Sequence, residues 1–104
     1  MMRHTLAALL CALAAPAWAD DAALALGKSV FLQHAEPACA VCHTLANAKS
    51  TGEVGPVLDE LKPNAERVKA AVTNGIGIMP AYEGLSPEQI EAVALYVSTV
   101  AGKP

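Results

Sequence analysis

Two cysteines and a histidine stand within five consecutive residues, Cys39-Ala40-Val41-Cys42-His43. The spacing C-x-x-C-H is that of a c-type haem attachment site. Two thiols separated by two residues can reach the two vinyl groups on one edge of a porphyrin. The next residue then lies under the iron. Cys39 and Cys42 are therefore candidate covalent anchors for one haem c, and His43 is a candidate axial ligand of its iron. A chain of 104 residues has a small core at best. A group as large and flat as a porphyrin would have to sit at its centre.

Three other readings of the same residues compete. A redox dithiol usually opens a helix beside a strand in a βαβ setting, and this chain shows no such alternation. A structural zinc site wants four ligands. His34 could join Cys39, Cys42 and His43, but it stands five residues from Cys39 and would crowd the site. A plain disulfide over so short a loop is strained.

An iron held by His43 on one side needs an account of its other side. Gly75-Ile76-Gly77-Ile78-Met79-Pro80 offers Met79, whose thioether is a soft ligand. His/Met ligation raises the reduction potential relative to a site of histidines alone. Glycine lets backbone approach a flat group closely, and Pro80 stiffens the loop directly after the methionine. Met79 as ordinary core filler is the blander alternative. His34 is a weaker rival as ligand, placed to face solvent or to cap a helix.

Residues 1–19, MMRHTLAALLCALAAPAWA, have the pattern of a secretory signal peptide. Arg3 and His4 open it, an apolar run follows, and Ala17-Trp18-Ala19 supplies small residues for cleavage after Ala19. The run is short of the ~20 residues that cross a bilayer. Bulky Leu10 argues against a lipid on Cys11. This reading leaves residues 20–104 as one mature domain of 85 residues and places it in the periplasm. Six basic and ten acidic residues remain, a net charge of -4. An acidic chain is a poor partner for phosphate, so nucleic acid is excluded. Met79 is then the only methionine, and Phe31, Tyr82 and Tyr96 are the only aromatics.

Three main helices are expected, joined by long loops, in an all-α fold with no convincing strand. The first runs from about Asp21 to His34, with Asp20 or Asp21 as cap and Pro37 forbidding continuation. The second spans about Asn64 to Asn74, capped by Asn64 and stopped by Gly75. The third starts at Ser86-Pro87-Glu88-Gln89, a capping box with proline at the first helical position, and ends near Val100. Its Ile90, Val93, Ala94 and Val97 form one apolar face.

The ordered set Gly27 to Phe31, Cys39 to His43, Gly55-Pro56-Val57-Leu58, Met79-Pro80 and Val93 to Val97 resembles a small bacterial class I c-type cytochrome. The resemblance covers nearly all of the mature domain. It implies a cytochrome c-like fold around one covalently bound haem, with the first and last helices crossing where Gly27 and Phe31 meet Val93 and Tyr96. It implies that the Pro56 carbonyl accepts a hydrogen bond from the second ring nitrogen of His43. Leu58, Val68, Val72, Ile78 and Leu85 become crevice walls, with plain helix core as their alternative role. Tyr82, Arg67 and Lys62 become candidates for the propionates, since the mature chain has no Trp. Glu36-Pro37-Ala38-Cys39 and Gly55 to Pro63 are similar to bacterial cytochromes associated with sulfite dehydrogenases.

The function implied is single-electron transfer by a protein that is not itself an enzyme. Its partners would be redox proteins: a dehydrogenase as donor, an oxidase or another cytochrome as acceptor. No stable membrane insertion is expected, and the chain would be a monomer or a loosely associated subunit. The alternative is a haem c subunit bound to a dehydrogenase such as sulfite dehydrogenase. A haem enzyme or ligand sensor with a weak sixth ligand and a thiol protein without haem are the remaining alternatives.

Overall fold

The computed structural model describes residues 17–103, with side chains from residue 20 onward. The expected signal peptide lies almost wholly outside the described residues. Five α-helices and one small hairpin follow in order: α1 (Ala17–Ser29), α2 (Cys39–Cys42), β1 (Thr44–Leu45), β2 (Ser50–Thr51), α3 (Leu58–Leu61), α4 (Ala65–Asn74) and α5 (Pro87–Val100). The fold is all-α in character. The three long helices are those expected, and the short elements lie in the stretches expected to be loops.

In the uncleaved chain helix α1 is continuous through Asp20 and Asp21, so neither caps it there. Ala17, Trp18 and Ala19 supply the preceding turn, and acids sit comfortably there near the positive helix end. At its far end α1 widens into a π turn over Val30–His34, closed by the Ala35 amide donating to the Val30 carbonyl at 3.0 Å. Val30, Phe31 and Ala35 are all buried there, while His34 faces solvent.

Helices α1 and α5 cross at close range because Gly27 has no side chain. A Cβ at that position would overlap the Ala92 carbonyl and stand 2.5 Å from Tyr96 Cβ. Gly27 therefore meets Ala92 and Tyr96 on α5. The Phe31 and Tyr96 rings pack tilted, with centroids 6.1 Å apart. Tyr96 also donates from its hydroxyl to Asn47 Oδ1 at 2.6 Å, which satisfies its polar end beside the core. Val30, Leu45, Val93 and Val97 complete this centre.

The caps of α4 and α5 match their sequence signatures. Asn64 Oδ1 accepts from the Arg67 amide at 2.8 Å, and α4 stops at Gly75 with φ +70°. Ser86 Oγ accepts from the Gln89 amide, and the Gln89 side chain accepts from the Ser86 amide. The hairpin corrects the expectation of no strand: Thr44 pairs with Thr51 and Leu45 with Ser50, antiparallel. Two-residue strands are too short to alternate visibly. What holds them is Ser50, whose buried hydroxyl accepts from the Leu45 amide and donates to the His43 carbonyl.

Asp59 on α3 binds distant parts of the chain together. Its Oδ2 accepts from the Ala46 amide and its Oδ1 from the Gly102 amide, both at 2.8 Å. The hairpin turn and the chain end after α5 are thereby fixed to one carboxylate.

Candidate haem site

Helix α2 is a single turn, and it brackets itself with Cys39 and Cys42. His43 follows as its C-terminal cap in extended conformation, its amide donating to the Cys39 carbonyl at 2.9 Å. One turn plus one extended residue places both thiols and the imidazole along the same cleft. The cleft measures about 500 Å³, and Cys39, Cys42, His43 and Met79 all line it. Pro56, Leu58, Ile78 and Tyr82 line it as well.

The chain after β2 wraps around His43. A Cβ on Gly52 would stand 2.5 Å from the Val41 carbonyl, and one on Gly55 would stand 2.6 Å from His43 Cε1. Only glycine permits both approaches. The Gly55 amide donates to the Cys42 carbonyl at 2.7 Å, and Thr44 Oγ1 donates to the Gly52 carbonyl at 2.9 Å. The ring itself is fixed next. His43 Nδ1 lies 2.7 Å from the Pro56 carbonyl oxygen. A carbonyl has no proton to give, so Nδ1 carries the hydrogen and donates. The lone pair is thereby assigned to Nε2, the form in which imidazole binds a metal.

Met79 sits in a tight turn. The Met79 amide donates to the Ile76 carbonyl at 2.9 Å, and the Ile76 amide donates back to the Met79 carbonyl at 3.1 Å. Gly75 and Gly77 take positive φ, +70° and +57°, which the turn requires. The Tyr82 amide returns the chain to α4 by donating to the Val72 carbonyl at 2.9 Å.

Aliphatic side chains make up the walls: Leu58, Val68, Val72, Val93 and Val97. Two of the expected walls stand differently. Ile78 borders the cleft but is 84% exposed, so it belongs to the rim; its turn projects beyond the core. Leu85 packs against the core outside the cleft. Among the candidates for the propionates, Tyr82 and Arg67 line the cleft. Lys62 does not, and its aliphatic stem lies where a Cβ on Gly102 would fall. Arg67 is the one charged lining residue apart from the titratable cysteines, histidine and tyrosine. Val54 and Ile76, exposed and apolar, extend the rim with Ile78. Single apolar residues in Gly-rich loops carry no sequence pattern that separates rim from wall.

The donor set suits a covalently bound haem. Two thiols, an imidazole lone pair and a thioether meet in an apolar cleft, and Gly55 leaves the imidazole room. Burial first of all, with Cys42 nearby as a minor cause, pushes the Cys39 thiol up to about 11. A thiol held neutral is a poor redox nucleophile. Among the described residues no three of His, Cys, Asp and Glu gather as a metal-ion cluster, which removes support from the zinc reading. A second cleft of about 510 Å³ lies between α1 and α5, lined by Ala22, Leu26 and Leu95 among others, and it offers no Cys, His or Met.

Comparison with known proteins agrees with this chemistry. The family model described as cytochrome c oxidase, cbb3-type, subunit III matches residues 22–97. Cytochrome c6 of Leptolyngbya boryana is 41% identical over 70 residues, covering 62% of this chain and 82% of that protein. Cytochrome c6 of Gloeothece citriformis is 38% identical over 93 residues, covering 85% and 79%. The crystal structure of the c-type cytochrome SorU from Sinorhizobium meliloti superposes with a TM-score of 0.79. It is 70% identical and covers 80% of this chain and 95% of that one. The chain belongs to the c-type cytochromes: it is a small class I member with the cytochrome c fold, one covalently bound haem c, and electron transfer rather than catalysis as its work.

Proposed function

We propose that this chain carries single electrons between periplasmic redox proteins through a haem joined to Cys39 and Cys42 and ligated by His43 and Met79. The observation that carries this reading is the His43 Nδ1 to Pro56 hydrogen bond of 2.7 Å, in a cleft that also contains both thiols and Met79. When bound, the haem supplies a one-electron couple. The protein's own residues do three things. Pro56 holds the His43 ring and makes Nε2 the better donor. Met79, on the same cleft, would offer its thioether to the iron, a soft ligand that favours the reduced state. Leu58, Val68, Val72, Val93 and Val97 keep water from the centre.

Residues 1–19 act as the export signal in this reading, cleaved after Ala19. No described helix is long and apolar enough to cross a membrane. A covalent haem c in the pyridine haemochrome spectrum of periplasmic material is the expected result. Its absence would sink the proposal.

A dehydrogenase is the proposed electron donor. Support comes from the likeness of Glu36 to Cys39 and of Gly55 to Pro63 to cytochromes associated with sulfite dehydrogenases. The 70% identity to SorU, a c-type cytochrome, keeps the chain close to one bacterial subgroup. Size exclusion of native extract distinguishes a free carrier from a bound subunit: a stably co-eluting dehydrogenase marks the subunit.

A further inference from the structure

The segment 75–85 packs Tyr82 and Leu85 against the core but has few hydrogen bonds to the rest of the molecule. The Ile76–Met79 pair is internal to it, and the Gly75 and Tyr82 amides reach only α4. Of the hydrogen bonds among the described residues, one joins this segment to the chain before α4. The Tyr82 hydroxyl donates to the Pro37 carbonyl at 2.8 Å, across 45 positions of sequence. Pro37 stands two residues before Cys39, at the entrance to the attachment turn. Tyr82 is thus anchored at both ends, by its amide to α4 and by its phenol to the other side of the cleft. Its ring lines the cleft between these anchors. A phenylalanine would fill the same space but leave the Pro37 carbonyl to water.

We propose that Tyr82 is a positioning residue whose hydrogen bond to Pro37 latches the Met79 turn across the cleft and limits how often the thioether leaves the iron. The inference rests on Met79 being the axial ligand. Local opening of a loop depends on the few bonds that hold it closed. A single exposed, neutral hydrogen bond changes such an equilibrium by roughly 2- to 10-fold.

The test uses oxidised holoprotein as wild type, Tyr82→Phe and Met79→Ala, with imidazole as the competing ligand. Tyr82→Phe should bind imidazole roughly 2- to 10-fold more tightly. Amide exchange at Ile76 and Met79 should accelerate by a similar factor, with Gly55 on the histidine side unchanged. Unaltered imidazole affinity and exchange would overturn the latch, as would equal acceleration at Gly55, which signals general loosening. Met79→Ala separates the two ideas. A far-red sulfur-to-iron band that survives in Met79→Ala refutes the ligand assignment and the latch with it. Loss of that band alongside a silent Tyr82→Phe refutes the latch alone.

Discussion

The two sides of the cleft are built differently. On the histidine side, backbone and ring are both held. Ser50 fixes the His43 carbonyl, Gly55 bonds to Cys42, and the Pro56 carbonyl orients the imidazole. On the methionine side, a turn closed on itself carries Met79, with exposed Ile76 and Ile78 beside it and Tyr82 as its tie across the cleft. The first side resists movement because each group has partners from a neighbouring segment. The second has one self-closed turn, two backbone bonds to α4 and one phenol reaching beyond it. If ligation fails under stress, it should fail at Met79 first. With Met79 as the proposed ligand, this contrast would place control of ligand access on the loop 75–85.

That contrast can be broken most directly at the ligand itself. Met79→Ala should abolish the far-red band, lower the reduction potential and let carbon monoxide bind the reduced protein. Potentiometry and difference spectra check this. Gly55→Val attacks the opposite side. Its Cβ would stand 2.6 Å from the His43 ring, so the ring must move. Denaturant titration should show a loss of about 1–3 kcal/mol, together with a disturbed haem spectrum. Ser50→Ala leaves the Leu45 amide and the His43 carbonyl without their hydroxyl partner. A loss of up to about 1–3 kcal/mol is expected, without the far-red band disappearing.

The pH dependence sharpens the distal side. Burial pushes the Tyr82 phenol up to about 12; the smaller push from Cys39 and Cys42 belongs to free thiols and is lost once both are thioethers. A folded-state value above the ordinary one means the folded chain keeps its proton longer than the unfolded chain does. The associated stability is complete below pH ~10 and is lost as pH rises through the folded value. Denaturation of wild type against Tyr82→Phe between those limits isolates the phenol, since lysines titrate alike in both. The smallest effect belongs to Lys69, whose surface ion pairs join Glu66 within α4 and Glu91 on α5. Lys69→Ala should leave both ligation and melting temperature unchanged within error. A large shift there would mean that the outer helices govern the cleft after all.

Much of this was legible in the residues before any coordinates. The attachment turn follows from C-x-x-C-H, because covalent chemistry fixes its spacing. The caps at Asn64 and Ser86 follow from local hydrogen bonding, and α4 and α5 start directly after them. The helix crossing comes from the resemblance to class I cytochromes; Gly27 fits it because close approach excludes a side chain, with Ala92 rather than Val93 facing it. Less legible were contacts made at long sequence separation. Nothing around Ser50 announces a hydroxyl that braces the histidine, and nothing around Asp59 announces a carboxylate shared by residues 46 and 102.

The sequence by itself determined the chemistry offered to the haem, the long helices and the family, since each depends on residue type and near spacing. Tertiary structure alone decided which apolar residues are wall and which are rim. It put Ile78 outside, packed Leu85 against the core beyond the cleft and drew Lys62 away from it. It also paired Tyr82 with Pro37. Burial and hydrogen bonding between segments far apart in the chain are properties of the assembled packing. Local pattern carries no record of them.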